Sequence, residues 1–538
     1  MPRSRLLITG LLMLAIPAAA EDLRQPVPDA HALTNVRIVT APGEVIDNGS
    51  IVVRDGLIEA VGADIAIPPD ARVHDYQRGE DADRISVFPG LIEMHFSLEA
   101  SGEKDEEAET PPGRHRLIQP DRSVNAAHWD DARTGRLREA GFTTVLAAPA
   151  EGLLKGQSVL ANTGSGGLTR NLLVTGVAQH ADWHARADGR MYPNSLMGAV
   201  ALLRQTLADA RWQRQARAIW SRQPNQPRPE WLEGLDSLAP IFDGDMPLVF
   251  AARDTLDTLR ILDFAADQGL EPIIVGHGQE YQRIDAIARH PARFIIPVNF
   301  PSAPDVRDEN DRDVGLEVLR HFKAAPDNPR RLIEAGLPVV FTTHELGSPS
   351  DIFGQLAKAI ERGLDADLAL AALTTSPAEW LGVADLAGRI APGHMANLIV
   401  VEGDLFTDSP SISDVWVDGI RYALAALEPP SIDPAGTWAL TLTMGQMGDV
   451  DAQLIMRGTA QALSGTLVIM GSEVPFSDMR VSGNRVQGRI DASRFGAAGS
   501  ITFNLEVDGD QARGGGSGPF GDFRARGRRT GDPDQEQG

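Results

Sequence analysis

The chain has 538 residues and a formal net charge of -24, so it is long enough for two or three domains. The acidic balance argues against DNA, RNA and anionic lipid as partners, because their phosphates would be repelled. The sequence contains no cysteine. This excludes disulfide bonds and a thiol nucleophile, and it leaves histidine and carboxylate side chains as metal ligands.

The first twenty residues have the three parts of a secretion signal. Two arginines form a positive start, Leu6–Ile16 is an apolar stretch too short to span a bilayer, and Ala18–Ala20 offers a small-residue cleavage site. We therefore expect residues 1–20 to be removed, which makes the mature chain begin at Glu21 and places it in the periplasm or outside the cell. No later stretch is apolar enough to cross a membrane, so no membrane insertion is expected.

Residues 34–75 alternate apolar and polar side chains in short runs, which is the pattern of half-buried strands. Asp55-Gly56 lies between two of these runs and predicts a tight hairpin turn. We expect this region to form a small β-unit ahead of the next part of the chain.

Between residue 87 and about residue 376, apolar runs of strand length alternate with longer helical patterns. Such alternation predicts a parallel sheet with helical crossovers, and eight runs predict a (β/α)8 barrel of the TIM type. Functional residues of such barrels lie at the carboxyl ends of the strands. The eight runs are Val87–Met94, Phe142–Ala147, Ser158–Ala161, Leu172–Val177, Leu248–Ala251, Ile273–Gly276, Phe294–Val298 and Val339–Thr343.

Residues 88–97 carry the most specific motif of the chain, Phe-Pro-Gly-Leu-Ile-Glu-Met-His-Phe-Ser. A buried strand ends here in His95. The motif resembles the first barrel strand of the amidohydrolase superfamily, whose Pro-Gly-Leu-Ile-Asp-x-His-x-His supplies two metal-binding histidines on one side of a strand. His95 matches the first of these histidines, and Ser97 replaces the second.

A second match to the same superfamily lies near the end of the barrel region. Leu373–Gly382 and Gly388–Val401 resemble its carboxyl-terminal signature, a helix followed by strands that return to the amino-terminal β-unit. The resemblance covers roughly residues 34–422. It implies a barrel over residues 87–382 and a discontinuous small β-domain over residues 21–86 and 383–425.

Residues 432–528 differ from the rest of the chain, because they contain short, alternating, glycine-punctuated runs such as Ser500–Val507. This pattern predicts an antiparallel sandwich or small barrel. Pro429-Pro430 marks a linker before it, and the polar residues 529–538 are expected to be a disordered tail. The segment shows no catalytic constellation, so we interpret it as an appended all-β domain for stability or docking.

The superfamily resemblance also implies metal ligands at other strand ends. The fifth strand should end in a histidine, but Ala251 or Ala252 stands there. The sixth strand should end in His-Gly, which His277 matches. The eighth strand should end in a metal-binding aspartate, and His344 lies near that place. The implied metal site therefore consists of His95, His277 and His344.

Three neutral imidazoles hold one zinc ion and leave an open position for a water whose pKa the metal lowers. A centre in which a carbamylated lysine bridges two metals is not expected, since no lysine closely follows the fourth strand and Lys155 precedes the third. His180 and His184 are four residues apart and could share a helix face. Two histidines alone make a poor site, so we assign them a loop-lining role.

Two functions stay open at this point. In the first, the chain is an exported hydrolase, similar to the imidazolonepropionase and dihydroorotase branches. It uses one divalent metal, zinc, to activate water and cleave a C–N bond in a small cyclic amide or peptide-like molecule. In the second, the barrel holds no metal and binds a ligand, a partner protein or a second copy without catalysis. Ser97, Ala251 and the missing eighth-strand aspartate favour the second.

A carbohydrate-active barrel would fit the architecture but needs a pair of carboxylates at strand ends. The sequence offers no convincing pair of that kind. A carbohydrate-active barrel also does not account for the two superfamily motifs, so we set this interpretation aside.

Overall fold

A computed structural model describes most of the chain. The described residues are 30–76, 85–98, 114–125, 129–184, 192–223, 225–304, 314–408, 410–424, 431–444, 448–459, 462–469, 471–491, 500–517 and 523–531. The predicted secretion signal and the Pro429-Pro430 linker lie outside the described residues, as does most of the predicted tail.

Six strands form within the first 98 residues. They are β1 (Ala30–Ala41), β2 (Glu44–Arg54), β3 (Leu57–Gly62), β4 (Arg72–Asp75), β5 (Ile85–Pro89) and β6 (Leu91–Leu98). Asp55 and Gly56 join β2 to β3, and both have positive φ angles, 50° and 83°. Two central residues in this conformation match the twist of a hairpin, so the predicted turn is confirmed.

Helices and strands then follow one another as far as residue 342, with no helix between β7 and β8. Their order is α1 (Asp131–Glu139), β7 (Phe142–Pro149), β8 (Leu154–Asn162), α2 (Gly167–Asn171), β9 (Leu172–Ala181), α3 (Leu196–Arg222), α4 (Ala239–Asp243), β10 (Leu248–Ala251), α5 (Thr255–Gln268), β11 (Pro272–Val275), α6 (Ile284–Ile287), β12 (Arg293–Pro297), α7 (Leu316–Ala324), α8 (Asn328–Glu334) and β13 (Val339–Thr342). The ends of α5 show the local logic: the Asp254 carboxylate accepts from the Asp257 amide, and Gly269 ends the helix at φ 66°.

The remaining elements are three helices and eleven strands. They are α9 (Asp351–Glu361), α10 (Ala366–Ala371), α11 (Thr375–Trp380), β14 (Leu398–Glu402), β15 (Ser411–Val417), β16 (Ile420–Ala423), β17 (Gly436–Met444), β18 (Gly448–Thr459), β19 (Ala462–Ile469), β20 (Ser472–Ser482), β21 (Arg485–Asp491), β22 (Ser500–Asp508), β23 (Gln511–Ser517) and β24 (Phe523–Gly531).

The first sheet joins distant parts of the chain. Its strands lie in the order β16-β15-β14-β5-β1-β2-β3, and β4 pairs with β1. Ile38, Val87, Val400 and Trp416 meet in its buried cluster. Strands from both ends of the barrel region therefore share one small β-layer.

The second sheet has eight strands, in the order β13-β12-β11-β10-β9-β8-β7-β6. Seven predicted runs lie on it, and the first run, Val87–Met94, is divided between β5 of the first sheet and β6 of the second. The prediction of an all-parallel (β/α)8 barrel is wrong for one strand, because β8 runs antiparallel to both β7 and β9. The cause is the short β7–β8 connection, which leaves only residues 150–153 between the strands. A parallel crossover needs a dozen or more residues, so β8 has to run backwards.

The second sheet curls until its two edge strands lie together. One cluster of buried side chains takes a residue from each of the eight strands, namely Ile92, Leu146, Leu160, Ala178, Val249, Ile273, Ile295 and Val340. At the edges, Glu93 of β6 accepts a hydrogen bond from the amide of Thr343, directly after β13, at 2.8 Å. The end of this sheet where β6 and β9–β13 finish is called the mouth below. Because β8 runs backwards, its first residues also lie at the mouth.

The carboxyl-terminal part is a separate closed barrel of eight antiparallel strands, β17 to β24. Trp438, Met456 and Phe503 lie in its own buried core. The predicted appended all-β domain is confirmed, and of the two predicted forms it is a barrel. Thr437 pairs with Gly531, so β24 includes three residues that were predicted to belong to the tail.

Within the described residues, no helix combines the length and the apolar character needed to cross a bilayer.

Candidate functional site

His95 reaches the mouth through an irregularity in β6. Glu93 pairs with Val145, and Phe96 pairs with Ala147. Two residues of β6 therefore lie opposite one residue of β7 between these pairs, as in a β-bulge. The His95 ring then lies against the ring of His344, with centroids 4.8 Å apart. Its Nε2 is 3.4 Å from the Ser97 hydroxyl, and its Nδ1 is buried without a hydrogen-bond partner. Burial, together with the charges of His344, His180 and Lys155, holds the pKa of His95 well below its usual range.

Glu93 links the strand that carries His95 to the residues just before His344. It is fully buried and accepts hydrogen bonds from the His95 amide, the Thr343 amide and the hydroxyls of Thr342 and Thr343. Burial raises its pKa above the ordinary value, while these donors act in the opposite direction. Both carboxylate oxygens are occupied by the protein itself, so Glu93 has a structural role at the edge of the sheet.

His344 is the exposed member of this pair, with 43% of its side chain accessible. Its Nε2 is 4.0 Å from Glu345, which exceeds hydrogen-bond distance. The other carboxylate oxygen of Glu345 accepts from Asn299 at 2.7 Å. Glu345 is therefore turned toward its neighbour on the loop after β12 rather than toward the imidazole.

His277 follows β11, as predicted, but its contacts are different. Its amide donates to Glu280 at 2.7 Å, and its ring nitrogen Nε2 lies 3.7 Å from the same carboxylate. The pKa of His321 is lowered by burial and, to a smaller extent, by the charge of His277. None of the contacts found among the described residues joins His277 to His95 or His344.

The predicted three-imidazole zinc centre stays a prediction, since no contact among the described residues joins all three side chains. His95 and His344 meet, and His277 does not join them. Ala251 ends β10, where a further ligand was expected, and it has no donor atom. Among the residues that the structure describes, no three His, Asp or Glu side chains converge on a point that could hold a metal ion. The donor set does not fit a zinc site of three protein ligands.

The structure brings two other residues to the mouth. Leu154 of β8 pairs with Ala181, and Gly156 pairs with His180, so Lys155 lies level with the end of β9. The Lys155 side chain is 10% exposed and its amine is 3.7 Å from Asp182. Burial lowers the pKa of Lys155, and the charge of Arg253 lowers it further, while Asp182 raises it.

His180 lies on β9 itself, three residues beyond the predicted end of that strand. It is 3% exposed, and its Nε2 is buried with no hydrogen-bond partner. Burial, aided by the charge of Lys155, lowers the pKa of His180 to about 3. The predicted loop-lining role is wrong for His180, because it lies within a strand, and the two histidines share no helix face. His184 follows β9 and pairs with Asp257 at 2.6 Å.

Lys155, His180, His95 and His344 are called the mouth cluster below. If the third strand were parallel, as predicted, Lys155 would lie at the end of the sheet opposite the mouth. The signal that could have corrected this is the spacing between Pro149 and Leu154, which is too short for a crossover. Buried polar atoms without a partner are rare in proteins, and His95 and His180 both carry one. Such atoms are suited to bind a polar ligand.

A cleft of about 930 Å³ opens beside the mouth cluster. His95, Ser97 and His344 line it, together with Trp129 and Arg133. Arg133 is fixed by a hydrogen bond to the Ser97 carbonyl at 2.9 Å and lies over the Phe96 ring, 4.6 Å from its centroid. The cleft has the size of a small-molecule site.

Comparison with known proteins gives partial matches. The model of the amidohydrolase family matches residues 324–422. An amidohydrolase of Hapsidospora irregularis is 28% identical over 99 residues, which is 18% of this chain and 10% of that protein. Imidazolonepropionase of Thermoplasma acidophilum is 28% identical over 162 residues, which is 28% of this chain and 39% of that protein. The chain thus matches less than half the length of either relative.

One solved structure shows the fold. The crystal structure of an amidohydrolase from Thermotoga maritima MSB8 superposes with a TM-score of 0.58 at 16% sequence identity. The superposition covers 73% of this chain and 100% of that one.

Proposed function

Since the chain belongs to the amidohydrolase superfamily, we propose that it is a member that binds a small molecule in the mouth without a zinc centre of His95, His277 and His344. The observation that carries this proposal is the separation of His277 from the other two imidazoles. Ser97 and Ala251 support it, since neither is a zinc ligand of the usual kind.

The chemistry of the mouth cluster suits a polar ligand. Burial keeps His95 and His180 neutral, and a neutral imidazole has one nitrogen that donates and one that accepts. The Nδ1 of His95 and the Nε2 of His180 are unused by the protein. An uncompensated buried polar atom costs about 1 to 3 kcal/mol, so a ligand that bonds to these nitrogens is favoured.

A second candidate is a metal-dependent hydrolase that cleaves a C–N bond in a cyclic amide or peptide-like molecule. The relatives named as an amidohydrolase and an imidazolonepropionase favour this candidate. The proximity of the His95 and His344 rings, whose centroids are 4.8 Å apart, also favours it. It requires donors beyond these two histidines, which the described residues do not bring together.

Zinc binding separates the two candidates. We expect the purified chain, stripped with a chelator and then given one equivalent of zinc, to retain no stoichiometric metal after gel filtration. Its melting temperature should be the same with zinc and with chelator, since a ligand that binds the folded state would raise it. One retained zinc per chain, lost in His95→Ala and kept in the matched control His290→Ala, would establish the hydrolase candidate instead.

We also propose that the chain is exported and matures at Glu21. The support is the sequence of the first twenty residues alone. Amino-terminal sequencing of protein recovered from the periplasm tests this, and recovery of intact Met1 there contradicts it.

A further inference from the structure

Lys155 is the one buried lysine among the described residues. The proposed binding of a ligand by the imidazoles of His95 and His180 gives it no role. Its side chain is 10% exposed, and β8 presents it at the mouth because that strand is reversed. The two other described lysines, Lys323 and Lys358, are exposed. Burying an amine is costly, so its place at the mouth needs an explanation.

Asp182 offers one explanation, an ion pair that serves the fold. The distance of 3.7 Å between the Lys155 amine and the Asp182 carboxylate is longer than a charge-assisted hydrogen bond. Asp182 has other partners, since it accepts from the His184 amide at 2.8 Å and lies 3.6 Å from the Arg253 guanidinium. Asp182 therefore does not need Lys155, and the ion pair leaves the amine under-bonded.

The geometry around Asp182 instead brings two cations to one place. The Lys155 Nζ and the Arg253 Nη2 both approach the same oxygen, Oδ2, of Asp182. The Arg253 side chain is 55% exposed, so it is free to meet a ligand from solvent. A guanidinium binds a carboxylate through two parallel hydrogen bonds.

The surroundings of Lys155 also favour a free amine. The neighbouring imidazoles of His95 and His180 are neutral and do not offset a buried positive charge. Burial is the main cause of the lowered pKa of Lys155 and outweighs the opposing charge of Asp182, and the charge of Arg253 lowers this pKa further. A desolvated amine of this kind is a nucleophile toward carbonyl groups.

We propose that Lys155 forms a reversible imine with a small carbonyl compound that carries a carboxylate, and that Arg253 binds this carboxylate. The ligand class is a short 2-oxo acid or aldehyde acid, in which the carbonyl and the carboxylate are neighbours. This inference rests on the proposed function, because the ligand enters through the same mouth.

The reaction balances without any further reagent. The Lys155 nitrogen attacks the carbonyl carbon, and a C–N bond forms as the carbonyl oxygen takes a proton. The C–O bond of this adduct then breaks, and the oxygen leaves as water with the two protons that the amine has lost. Asp182, next to the amine, is placed to carry these protons. Hydrolysis returns the free amine and the carbonyl compound.

Reductive trapping with glyoxylate tests the proposal. The full chain is incubated at pH 7 with glyoxylate and cyanoborohydride, and each lysine is followed by peptide mass spectrometry. Exposed lysines are almost fully protonated at this pH, so we expect Lys155 to be carboxymethylated about tenfold faster than Lys323 and Lys358 or more. Excess pyruvate should slow this labelling.

Arg253→Met supplies the matched control for the carboxylate. It should slow glyoxylate labelling of Lys155 more than labelling by formaldehyde, which has no carboxylate and reports only the rise in the Lys155 pKa when the Arg253 charge is removed. Lys155→Arg should abolish the selective signal, with an unchanged melting profile as the check on folding. Labelling of Lys323 and Lys358 with Lys155 unmodified overturns the imine, and equal effects of Arg253→Met on both reagents overturn the role of Arg253.

The outcomes also separate this inference from the proposed function. A retained zinc with amide hydrolysis contradicts the zinc-free proposal whatever the labelling shows. A zinc-free chain whose Lys155 stays unmodified contradicts the imine alone.

Discussion

Two corners of the mouth treat buried polar groups in opposite ways. At the β6–β13 corner, the buried carboxylate of Glu93 receives four hydrogen bonds from protein donors. At the β8–β9 corner, His180 has an unused nitrogen and the Lys155 amine is 3.7 Å from its nearest carboxylate. A buried group whose polar atoms are satisfied, such as Glu93, stabilises the fold. Buried atoms without a partner, such as the Nε2 of His180 and the Nδ1 of His95, are suited to bind something else.

The largest effect should come from breaking the satisfied corner. Glu93→Ala leaves two amides and two hydroxyls without their acceptor at a buried position. We expect it to lower the free energy of unfolding by about 4 kcal/mol, measured by chemical denaturation. Glu345→Gln is the control, since Glu345 lies at the same mouth but is 50% exposed, and it should change stability little. A small effect of Glu93→Ala would mean that another contact joins the edge strands.

The two corners should also respond to acid with opposite signs. Unfolded histidine binds a proton near pH 6.5, whereas folded His180 does so at about 3. Its contribution to stability is therefore complete above about pH 6.5 and is lost as the pH falls. The pKa of Glu93 is raised by burial, so its contribution is complete below the unfolded pKa and is lost as the pH rises through the folded one.

The variant His180→Gln isolates the histidine part of this difference, because glutamine does not titrate. Between pH 6.5 and pH 4, we expect the wild-type chain to lose about 3 kcal/mol more than this variant, measured by denaturation at each pH. Parallel loss in the two proteins would show that His180 is protonated in the folded state.

A smaller effect distinguishes a ligand-binding lysine from a structural one. Lys155→Met removes the buried charge and keeps the length of the side chain, while Arg253 still faces Asp182. We expect the free energy of unfolding to change by about 1 kcal/mol or less. If the ion pair with Asp182 holds the fold, the same substitution should instead cost about 3 to 5 kcal/mol, as removal of one partner of a buried pair does.

The sequence predicted much of the fold and part of this contrast. Strand periodicity located β7 to β13 of the second sheet but joined β5 and β6 into one run, and the Pro-Gly-Leu-Ile motif located His95. The sequence pattern does not indicate the direction of a strand, because apolar residues alternate in the same way in parallel and antiparallel strands. That one reversal moved Lys155 from the far end of the sheet to the mouth.

The metal site of His95, His277 and His344 stays a prediction, because the described residues bring only two of its members into contact. Position at a strand end placed His277 and His344 on the correct elements, but it gave no distances between them. The loops decide those distances. Glu93 accepts from the amides of His95 and of Thr343, which precedes His344, whereas the His277 amide donates to Glu280. Neither carboxylate belongs to the expected ligand set, and the hydrogen bonds that they accept depend on the folded loops.

Direct titration of the lysines tests the central claim, that β8 presents a buried free amine at the mouth. The chain has four lysines, so selective isotope labelling gives four side-chain signals by NMR, and Lys155→Arg assigns one of them. We predict that the Lys155 signal titrates at clearly lower pH than the other three. Titration of all four together, near the ordinary pKa of lysine, would contradict the account.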